Sequence, residues 1–392
     1  MQASYPLVVF SHLRWDFVYQ RPQHLLSRIA AGGRTVLFIE EPEHVAGAHP
    51  HWKTSYPAPG VLVARPQLNV KGHGFADEQH AVLTQMVRSL LATEGVRDFV
   101  AWLYTPLALP IAQAAGPLAI VYDCMDDLSS FKHAPPRLIE REAELMKLAD
   151  VVFTGGPSLY RARKSRHHKI HCFPSSVDAT HFGSAASAEE PADQAALPRP
   201  RLGYFGVIDE RMNLDIIRAL AEARPDWQIV MVGPVAKIDE SALPKAPNIL
   251  YTGQRSYEDL PRYLGGWDVS LLPFALNEAT RFISPTKTLE YMAAGVPVVS
   301  TPITDVVEPY GDIVYLGSTA EEFVAACDAA LNASPDERWY RIEAGHQVVA
   351  GTSWAAIARA MDSLIDEAVL NAQTRRASAA TAAFSFPSAF GA

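Results

Sequence analysis

Short apolar runs rich in β-branched residues alternate with amphipathic helical stretches along most of this chain, and this alternation constrains the fold more than any other feature. In the first half, helical patterns such as RPQHLLSRIA and PPRLIEREAELMKLAD separate the runs LVVF, TVLFIE, VLVA, FVAWLY, LAIVYD, VVFT and IHCF. Continuous apolar runs are typical of parallel strands that helices cover on both faces. The pattern therefore predicts an α/β fold built on a doubly wound parallel sheet.

The same alternation occurs a second time. A polar, Ala- and Pro-rich stretch, typical of an interdomain linker, interrupts it, and the alternation resumes with RLGYFGVI, WQIVMVG, NILYTG, VSLLPF, PVVST and IVYLG. A chain of 392 residues also exceeds what one hydrophobic core usually serves. We therefore predict two Rossmann-like domains, a helix that crosses back onto the first domain, and a disordered tail. The first domain occupies residues 1–183 and the linker 184–200. The second domain occupies residues 201–352, the helix 353–373 and the tail 374–392.

The composition indicates a globular protein of the cytoplasm. Apolar residues make up 48% of the chain and charged residues 20%, and no apolar run approaches the ~20 residues of a membrane span. The N-terminus lacks the basic region of a secretion signal, and the three cysteines are widely spaced, without a disulfide framework. A net charge of -9 and the lack of a known reading motif argue against nucleic acid binding.

A basic segment, RARKSRHHKIH, occupies residues 161–171. One interpretation is a solvated helix face, which is the common use of such segments. The other is a surface for an anionic acceptor, or for peripheral contact with an anionic membrane. The sequence leaves both interpretations open.

The strongest local motif is RFISPTKTLEYMAAGVPVVS, in which a loop breaks into a helix at Pro285 and returns through Gly295 to a buried strand. Both residues are typical of those helix boundaries. Free backbone N–H groups at the helix start point out of its N-terminus and suit a diphosphate. The candidate donor-binding N–H groups are those of Ser284, Thr286 and Lys287, and the Lys287 side chain adds a positive charge.

Glu290 lies one turn further into the same helix. Its carboxylate can accept two hydrogen bonds from a ribose diol, as acidic residues do in other nucleotide sites. Alternatively, Lys287 and Glu290 form an exposed i,i+3 pair on an ordinary amphipathic helix. The motif alone does not decide between the two.

The segment SPTKTLEYMAAGVPVVS resembles the donor-binding segment of retaining GT-B glycosyltransferases of the family 4 type, the glycosyl transferases group 1. The resemblance implies two Rossmann-like domains that face each other across a cleft. It also implies two glutamates eight positions apart, the first contacting the donor sugar and the second the ribose. Here Glu290 matches the second, whereas Phe282 stands in place of the first. The candidate replacements are Asn277 and Glu278.

A second segment, GYFGVIDERMNLDIIRALAEARPDWQIVMVGP, resembles the opening strand, loop and helix of that family's donor domain. The resemblance implies that Gly206 lets a diphosphate approach closely, and that Arg211 and Lys287 neutralise its charge during catalysis. The VGP at its end also matches in position, and Gly233 ends a buried strand at the edge where open sheets bind ligands. Alternatively, Arg211 pairs with the acidic residues beside it in the loop.

Two loops of the first half place polar groups at the same edge of the first sheet. SHLRWDFVYQRP follows the first strand, and YDCMDD follows a later one. Both regions resemble a bacterial group of such transferases that serves cell-wall and exopolysaccharide synthesis. We predict a catalytic role for His12 and acceptor contacts from Arg14, Trp15, Asp16, Asp123 and Asp126. The alternatives are a core histidine and helix-capping aspartates.

Several absent motifs narrow the chemistry. The sequence has no D-x-D, which GT-A transferases use to hold a divalent metal. It also lacks GxGxxG after a strand, GxxxxGK[ST] and GxSxG, which lowers the odds of a dehydrogenase, a P-loop enzyme or an α/β-hydrolase. The cluster His167, His168 and His171 lacks metal-ligand spacing. We therefore predict no metal and no cofactor.

The resemblance implies transfer of a sugar from a UDP-, GDP- or dTDP-sugar to a glycan or lipid-linked acceptor. It further implies retention of anomeric configuration, by front-face attack in which the leaving phosphate helps deprotonate the acceptor. Two alternatives stay open. One is a nucleotide-sugar 2-epimerase of GT-B fold, which needs no acceptor. The other is a non-catalytic nucleotide-sugar binding protein, which the phenylalanine at position 282 favours.

Overall fold

The computed structural model describes residues 5–132 and 134–384, with side chains described up to residue 378. Its first sheet is parallel except for one antiparallel pair, β4 with β5. The strands are β1 (Leu7–Ser11), β2 (Val36–Glu40), β3 (Glu43–His44), β4 (His51–Ala58), β5 (Val61–Leu68), β6 (Val100–Leu103), β7 (Ala119–Cys124), β8 (Val151–Thr154) and β9 (Ile170–Cys172). Their order is β3-β5-β2-β1-β6-β7-β8-β9, with β4 outside this path.

The second sheet is parallel throughout its described pairs. Its strands are β10 (Arg201–Phe205), β11 (Gln228–Val232), β12 (Ile249–Gly253), β13 (Val269–Leu272), β14 (Val298–Ser300) and β15 (Tyr315–Leu316). They lie in the order β12-β11-β10-β13-β14-β15, in which the chain starts near the middle and winds outward both ways. We call the parts built on the two sheets the first unit and the second unit.

Helices cover both faces of each sheet. In the first unit they are α1 (Arg21–Ala31), α2 (His80–Thr93), α3 (Leu109–Ala115), α4 (Arg137–Leu148) and α5 (Pro157–Arg163), and the junction adds α6 (Ala179–Gly183) and α7 (Ala192–Ala195). The second unit has α8 (Leu214–Ala223), α9 (Leu260–Leu264), α10 (Thr286–Ala293), α11 (Thr304–Tyr310), α12 (Ala320–Leu331) and α13 (Pro335–Ala350), and α14 (Trp354–Phe384) follows. Within the described ranges, no helix is long and apolar enough to span a bilayer.

Alternate residues of each strand enter different apolar clusters. Val8 and Phe10 of β1 pack with α2, α3 and α4 on one face of the first sheet, whereas Leu7 and Val9 pack with α1 and α14 on the other. A parallel sheet buried on both faces needs such a run of apolar residues. The predicted doubly wound α/β architecture is confirmed.

α14 returns the chain to the first unit and packs along α1. Trp354 at its start stacks on His24 of α1, with ring centroids 4.8 Å apart and 7° between the ring planes. Arg34 is 2% exposed and forms ion pairs with Asp362 at 2.7 Å and with Asp366 at 2.6 Å. The predicted crossing of the C-terminal helix is confirmed.

The junction between the units is packed rather than free. Phe182 already lies in the core of the second unit, so the chain joins that core before the predicted boundary at 183. Within 184–200, Gln194 is fully buried, and its side-chain oxygen accepts a hydrogen bond from Trp267 Nε1 at 2.7 Å. The segment predicted as a linker is thus held against the second unit, because its amide and apolar groups find partners there.

Two further expectations differ from the structure. The sequence pattern missed β4, because this strand lies outside the main path of the sheet with mostly exposed side chains and lacks apolar alternation. The predicted tail at 374–392 begins inside α14, which continues to Phe384. Its Ala-rich sequence has a high helix propensity, and Arg376 donates to the Pro117 carbonyl oxygen at 2.8 Å. Residues 385–392 lie outside the described residues.

We expect Trp354→Ala to lower the free energy of unfolding by about 3–5 kcal/mol, because it removes a large buried side chain from the contact between α14 and α1. Trp354 is 1% exposed, whereas Trp339 in α13 is 68% exposed. Trp339→Ala is therefore the matched control, with an expected change within about 0.5 kcal/mol. Urea titration of both variants measures this difference, and equal stabilities would contradict the role of the stack.

Candidate active site

One cavity of about 380 Å³ lies between the two units. Its first wall comes from the loops after β1 and β7 in the first unit. Its second wall comes from the loops after β10, β11 and β12 and from the start of α10. All of these segments follow the carboxyl ends of parallel strands or begin a helix, and open α/β sheets bind ligands at this edge.

Two glycines bring backbone segments close together beneath the cavity. The φ angle is 132° at Gly206 and 143° at Gly233, values that residues with a side chain rarely adopt. A Cβ on Gly206 would lie 2.2 Å from Cε of Lys287, and a Cβ on Gly233 would lie 2.0 Å from the carbonyl oxygen of Gly206. Both positions therefore require glycine, and the space beside Gly206 holds the Lys287 side chain.

The start of α10 lines the cavity with Ser284, Thr286 and Lys287. The Lys287 ammonium lies 5.7 Å from the ring centroid of Tyr204. Burial lowers the pKa of Lys287, and the charge of Glu290 partly offsets this effect. The structure thus brings the helix start, its lysine and the predicted glycine of the β10 loop to one place.

Glu290 is 7% exposed and also lines the cavity. Burial raises the pKa of Glu290 to about 7, while the charge of Lys287 acts in the opposite direction. Within the described part of the chain, no hydrogen bond to its carboxylate is found. The alternative of an exposed surface pair is therefore wrong, because this face of α10 is turned towards the cavity rather than towards solvent.

Arg211 lines the cavity and also holds Asp209. Its Nη2 lies 2.7 Å from Asp209 Oδ2, and its Nε donates to both oxygens of the same carboxylate. Glu210 instead accepts a hydrogen bond from the backbone N–H of Lys132, in the first unit, at 3.1 Å. The ion pair considered from the sequence is present, and the arginine nevertheless borders the predicted site.

The first unit contributes Trp15, Asp16 and Asp126 to the cavity lining. The backbone N–H of Trp15 donates to the Glu40 carboxylate at 2.7 Å, which fixes the start of the loop after β1. Burial raises the pKa of Asp126, and the charge of Arg211 acts in the opposite direction. Asp126 and Arg211 therefore lie close enough across the cleft to interact electrostatically.

Three candidates from the first half do not line the cavity. Nδ1 of His12 is buried and has no hydrogen-bond partner among the described residues, and burial lowers the pKa of His12 to about 4. Arg14 donates to the Glu41 carbonyl oxygen at 2.6 Å. Asp123 is fully buried in an ion pair with Arg21 at 3.0 Å. The structure does not support site contacts from these three, because their polar groups are buried or already paired within the first unit.

Neither candidate replacement for the missing glutamate lines the cavity. Asn277 caps a short turn, and its Oδ1 accepts a hydrogen bond from the N–H of Thr280 at 3.2 Å. The Glu278 side chain is 77% exposed and pairs with Arg281 at 3.6 Å. Phe282 itself packs against the core of the first unit. The predictions for Asn277 and Glu278 therefore require correction.

Gln254 and Tyr257, which no sequence motif indicated, line the cavity from the loop after β12. Both also contact the first unit. The Gln254 amide donates to the carbonyl oxygen of Phe17, and the ring of Tyr257 stacks on Tyr19 with centroids 4.6 Å apart. The one signal for them in the sequence is their position after the apolar run NILYTG, at the edge where ligands bind.

Comparison with known proteins relates part of this chain to glycosyltransferases. Residues 199–333 match the model of the family described as "Glycosyl transferases group 1". The chain is also 26% identical over 243 residues to the "Putative teichuronic acid biosynthesis glycosyltransferase TuaH" of Bacillus subtilis (strain 168). This match covers 56% of the chain and 60% of that relative, so it spans less than two thirds of the relative's length. The resemblance seen in the sequence is confirmed.

Solved structures share the fold across most of the chain. A trehalose-6-phosphate structure from E. coli, bound with UDP-2-fluoro glucose, has a TM-score of 0.69 and 14% identity, and the match covers 93% of this chain and 99% of that one. Sucrose-phosphate synthase from Thermosynechococcus elongatus has a TM-score of 0.68 and 16% identity, with coverage of 93% and 98%. At such identities the likeness shows the fold, and it confirms the GT-B architecture.

We expect the affinity for a nucleoside diphosphate to rise as the pH increases from 6 to 8. The Glu290 carboxyl, with its pKa of about 7, is mostly protonated at pH 6 and mostly ionised at pH 8, and the ionised form accepts stronger hydrogen bonds from a diol. One pH unit below the pKa, about a tenth of the groups are ionised, so the change in Kd approaches about tenfold.

Glu290→Gln is the control for this pH dependence, because it keeps the shape of the side chain and removes its titration. The variant should bind more weakly, and its Kd should lose the part of the pH dependence that Glu290 causes. Titration of the ligand's phosphate contributes equally to the pH dependence of Kd for both proteins. Calorimetry with UDP and GDP gives the Kd of both proteins at each pH. Identical pH profiles of Kd would contradict a role for the carboxylate.

Proposed function

We propose that this chain, whose residues 199–333 match the glycosyl transferases group 1, is a GT-B glycosyltransferase of the family 4 type. It moves a sugar from a nucleoside-diphosphate sugar to a hydroxyl of a glycan or lipid-linked acceptor, with retention of anomeric configuration. The observation that carries this proposal is the convergence of Gly206, Lys287 and Glu290 on one cavity between the units.

In this proposal the donor diphosphate binds at the start of α10. Breaking the glycosidic bond increases the negative charge on the leaving diphosphate, so cations placed there stabilise the transition state more than the ground state. Lys287 and Arg211 supply these cations, and the backbone N–H groups at the helix start add to them. This set of groups takes up the charge without a metal or another cofactor.

The acceptor enters on the side of the first unit, where Trp15, Asp16 and Asp126 line the cavity. An aromatic ring offers an apolar face to a sugar, and carboxylates accept hydrogen bonds from its hydroxyl groups. The leaving phosphate helps deprotonate the attacking hydroxyl on the same face, as the family resemblance implies. Because the ligand lies between two units, it is shielded from water that would hydrolyse the donor.

Similar proteins support the substrate class. One similar structure holds UDP-2-fluoro glucose. Another, the alpha,alpha-trehalose-phosphate synthase (UDP-forming) of Burkholderia xenovorans, is in complex with glucose-6-phosphate, with a TM-score of 0.67, 13% identity and coverage of 93% of this chain and 99% of that one. The name of the Bacillus relative refers to teichuronic acid biosynthesis. We therefore place the proposed reaction in the synthesis of a cell-envelope polysaccharide, on the cytoplasmic side of the membrane.

The basic segment at 161–171 gives limited support to peripheral membrane contact. Arg161 pairs with Glu308 of the second unit at 2.7 Å, and Arg166 pairs with Glu142 at 2.6 Å. Lys164 and His168 are exposed within the same segment. Much of its positive charge thus serves contacts within the protein, so the proposal does not depend on a membrane surface.

A thermal-shift screen of UDP-, GDP- and dTDP-sugars tests the proposed function. A ligand present at about a hundred times its Kd stabilises a protein by about 2.7 kcal/mol. The matching donor is then incubated with and without a panel of glycan and lipid-linked acceptors. Transfer to an acceptor supports the proposal. A 2-epimer formed without any acceptor, or binding without turnover, would favour the alternatives.

We expect Arg211→Ala and Lys287→Ala each to lower kcat about a hundredfold to a thousandfold, as removal of one electrostatic contact to a transition state typically does. The loss should appear in kcat and not only in KM. Because both cations act on one diphosphate, their effects in the double variant should be less than additive. Arg218→Ala is the control, since this arginine lies in α8 and pairs with Asp215 at the surface. A kcat equal to that of the control would remove the residue from the mechanism.

We expect transferase activity to survive EDTA, because the proposed mechanism assigns the diphosphate charge to side chains and to a helix start. Initial rates with and without EDTA, each followed by addition of Mg²⁺ or Mn²⁺, measure the dependence. A complete loss of turnover that either metal restores would overturn the metal-free mechanism.

A further inference from the structure

The hydroxyl of Tyr257 is buried and has no hydrogen-bond partner among the described residues. Tyr257 lines the same cavity as Glu290, whose carboxylate also lacks a hydrogen-bond partner there. A buried polar group without a partner costs stability of about 1–3 kcal/mol. A buried hydroxyl without a partner, in the same cavity as a carboxylate that accepts no described hydrogen bond, therefore indicates a ligand that contacts both.

The ring of Tyr257 is held in place from two sides. It stacks on His181, with centroids 4.3 Å apart and 13° between the planes, and on Tyr19 with centroids 4.6 Å apart. The backbone carbonyl of Tyr257 also lies 3.0 Å from Nε2 of His181. These contacts fix the direction of the hydroxyl, so its position does not depend on a ligand.

We propose that the Tyr257 hydroxyl is a second ligand of the donor ribose, which it contacts together with Glu290. This inference rests on the proposed function, because it needs a nucleotide in the cavity. It goes beyond that function by assigning a ribose contact to a residue outside both donor motifs. It also links the ribose to the first unit, because the same ring stacks on Tyr19.

The chemistry of the two side chains is complementary towards a diol. An ionised carboxylate only accepts hydrogen bonds, so Glu290 takes the hydrogens of the ribose hydroxyls. The oxygens of those hydroxyls then have free lone pairs, and a phenol can donate to one of them. Burial and the nearby charge of Glu290 raise the pKa of Tyr257, so the phenol keeps its hydrogen and stays a donor.

Tyr257→Phe tests this assignment, because it keeps the stacked ring and removes only the hydroxyl. The probes are UDP and GDP with their 2′-deoxy and 3′-deoxy counterparts, measured by calorimetry. We expect the variant to bind the ribonucleotide about three- to tenfold more weakly, which is the usual contribution of one neutral hydrogen bond. For the deoxy analogue that lacks the contacted hydroxyl, wild-type and variant proteins should bind equally.

Tyr251→Phe is the matched control. Its hydroxyl donates to the Pro244 carbonyl oxygen at 3.0 Å in the second unit and does not line the cavity. Its Kd values for all probes should equal those of the wild type. If Tyr257→Phe also binds every probe as the wild type does, this inference is overturned while the proposed function stands. If the wild type binds none of UDP, GDP and dTDP, the proposed function fails as well.

Discussion

The cleft depends on one aromatic cluster in which both crossings of the chain between the units meet. His24 of α1 stacks on Trp354 at the second crossing, and Tyr257 stacks between His181 at the first crossing and Tyr19 in the loop after β1. An edge contact of 5.5 Å between His24 and Tyr257 joins the two stacks. Burial lowers the pKa of His24 to about 3, so its ring is neutral at ordinary pH. The cluster therefore holds the two walls of the cavity in one relative position without a change in charge.

In this arrangement, basic and acidic side chains lie close together in the cavity. Under the proposed function, a diphosphate beside Arg211 also approaches Asp209 and Asp126, which are acidic. Nε and Nη2 of Arg211 hold Asp209, but a guanidinium has five N–H donors in a planar fork, and the Nη1 group has no hydrogen bond among the described contacts. The arginine can therefore keep its acidic neighbour and still donate to a phosphate. Asp209 then acts by orienting the guanidinium, and Lys287 brings a cation that no described ion pair uses.

The sequence predicted the features that depend on neighbouring residues and missed those that depend on distant parts of the fold. Buried parallel strands such as β1 show a continuous apolar run, and the mostly exposed β4 does not. Gly206 and Lys287 were predictable because a glycine after a strand and a lysine at a helix start are local arrangements. His12 was misplaced because neighbours from elsewhere in the fold decide which loop side chains are buried. Tyr257 was missed because its contacts come from the other unit, and no short motif encodes the orientation of two units.

Phe282 bears on how the donor sugar would be recognised. Its ring packs against the core of the first unit, with the Arg281 guanidinium 5.1 Å from the ring centroid. A carboxylate packed there would lose its water against an apolar surface, which costs several kcal/mol unless a partner compensates. Where the family resemblance implies a carboxylate, this chain thus has an apolar contact between the units. Under the proposed function, recognition of the donor sugar then falls to other groups that line the cavity, while Phe282 contributes to the contact between the units.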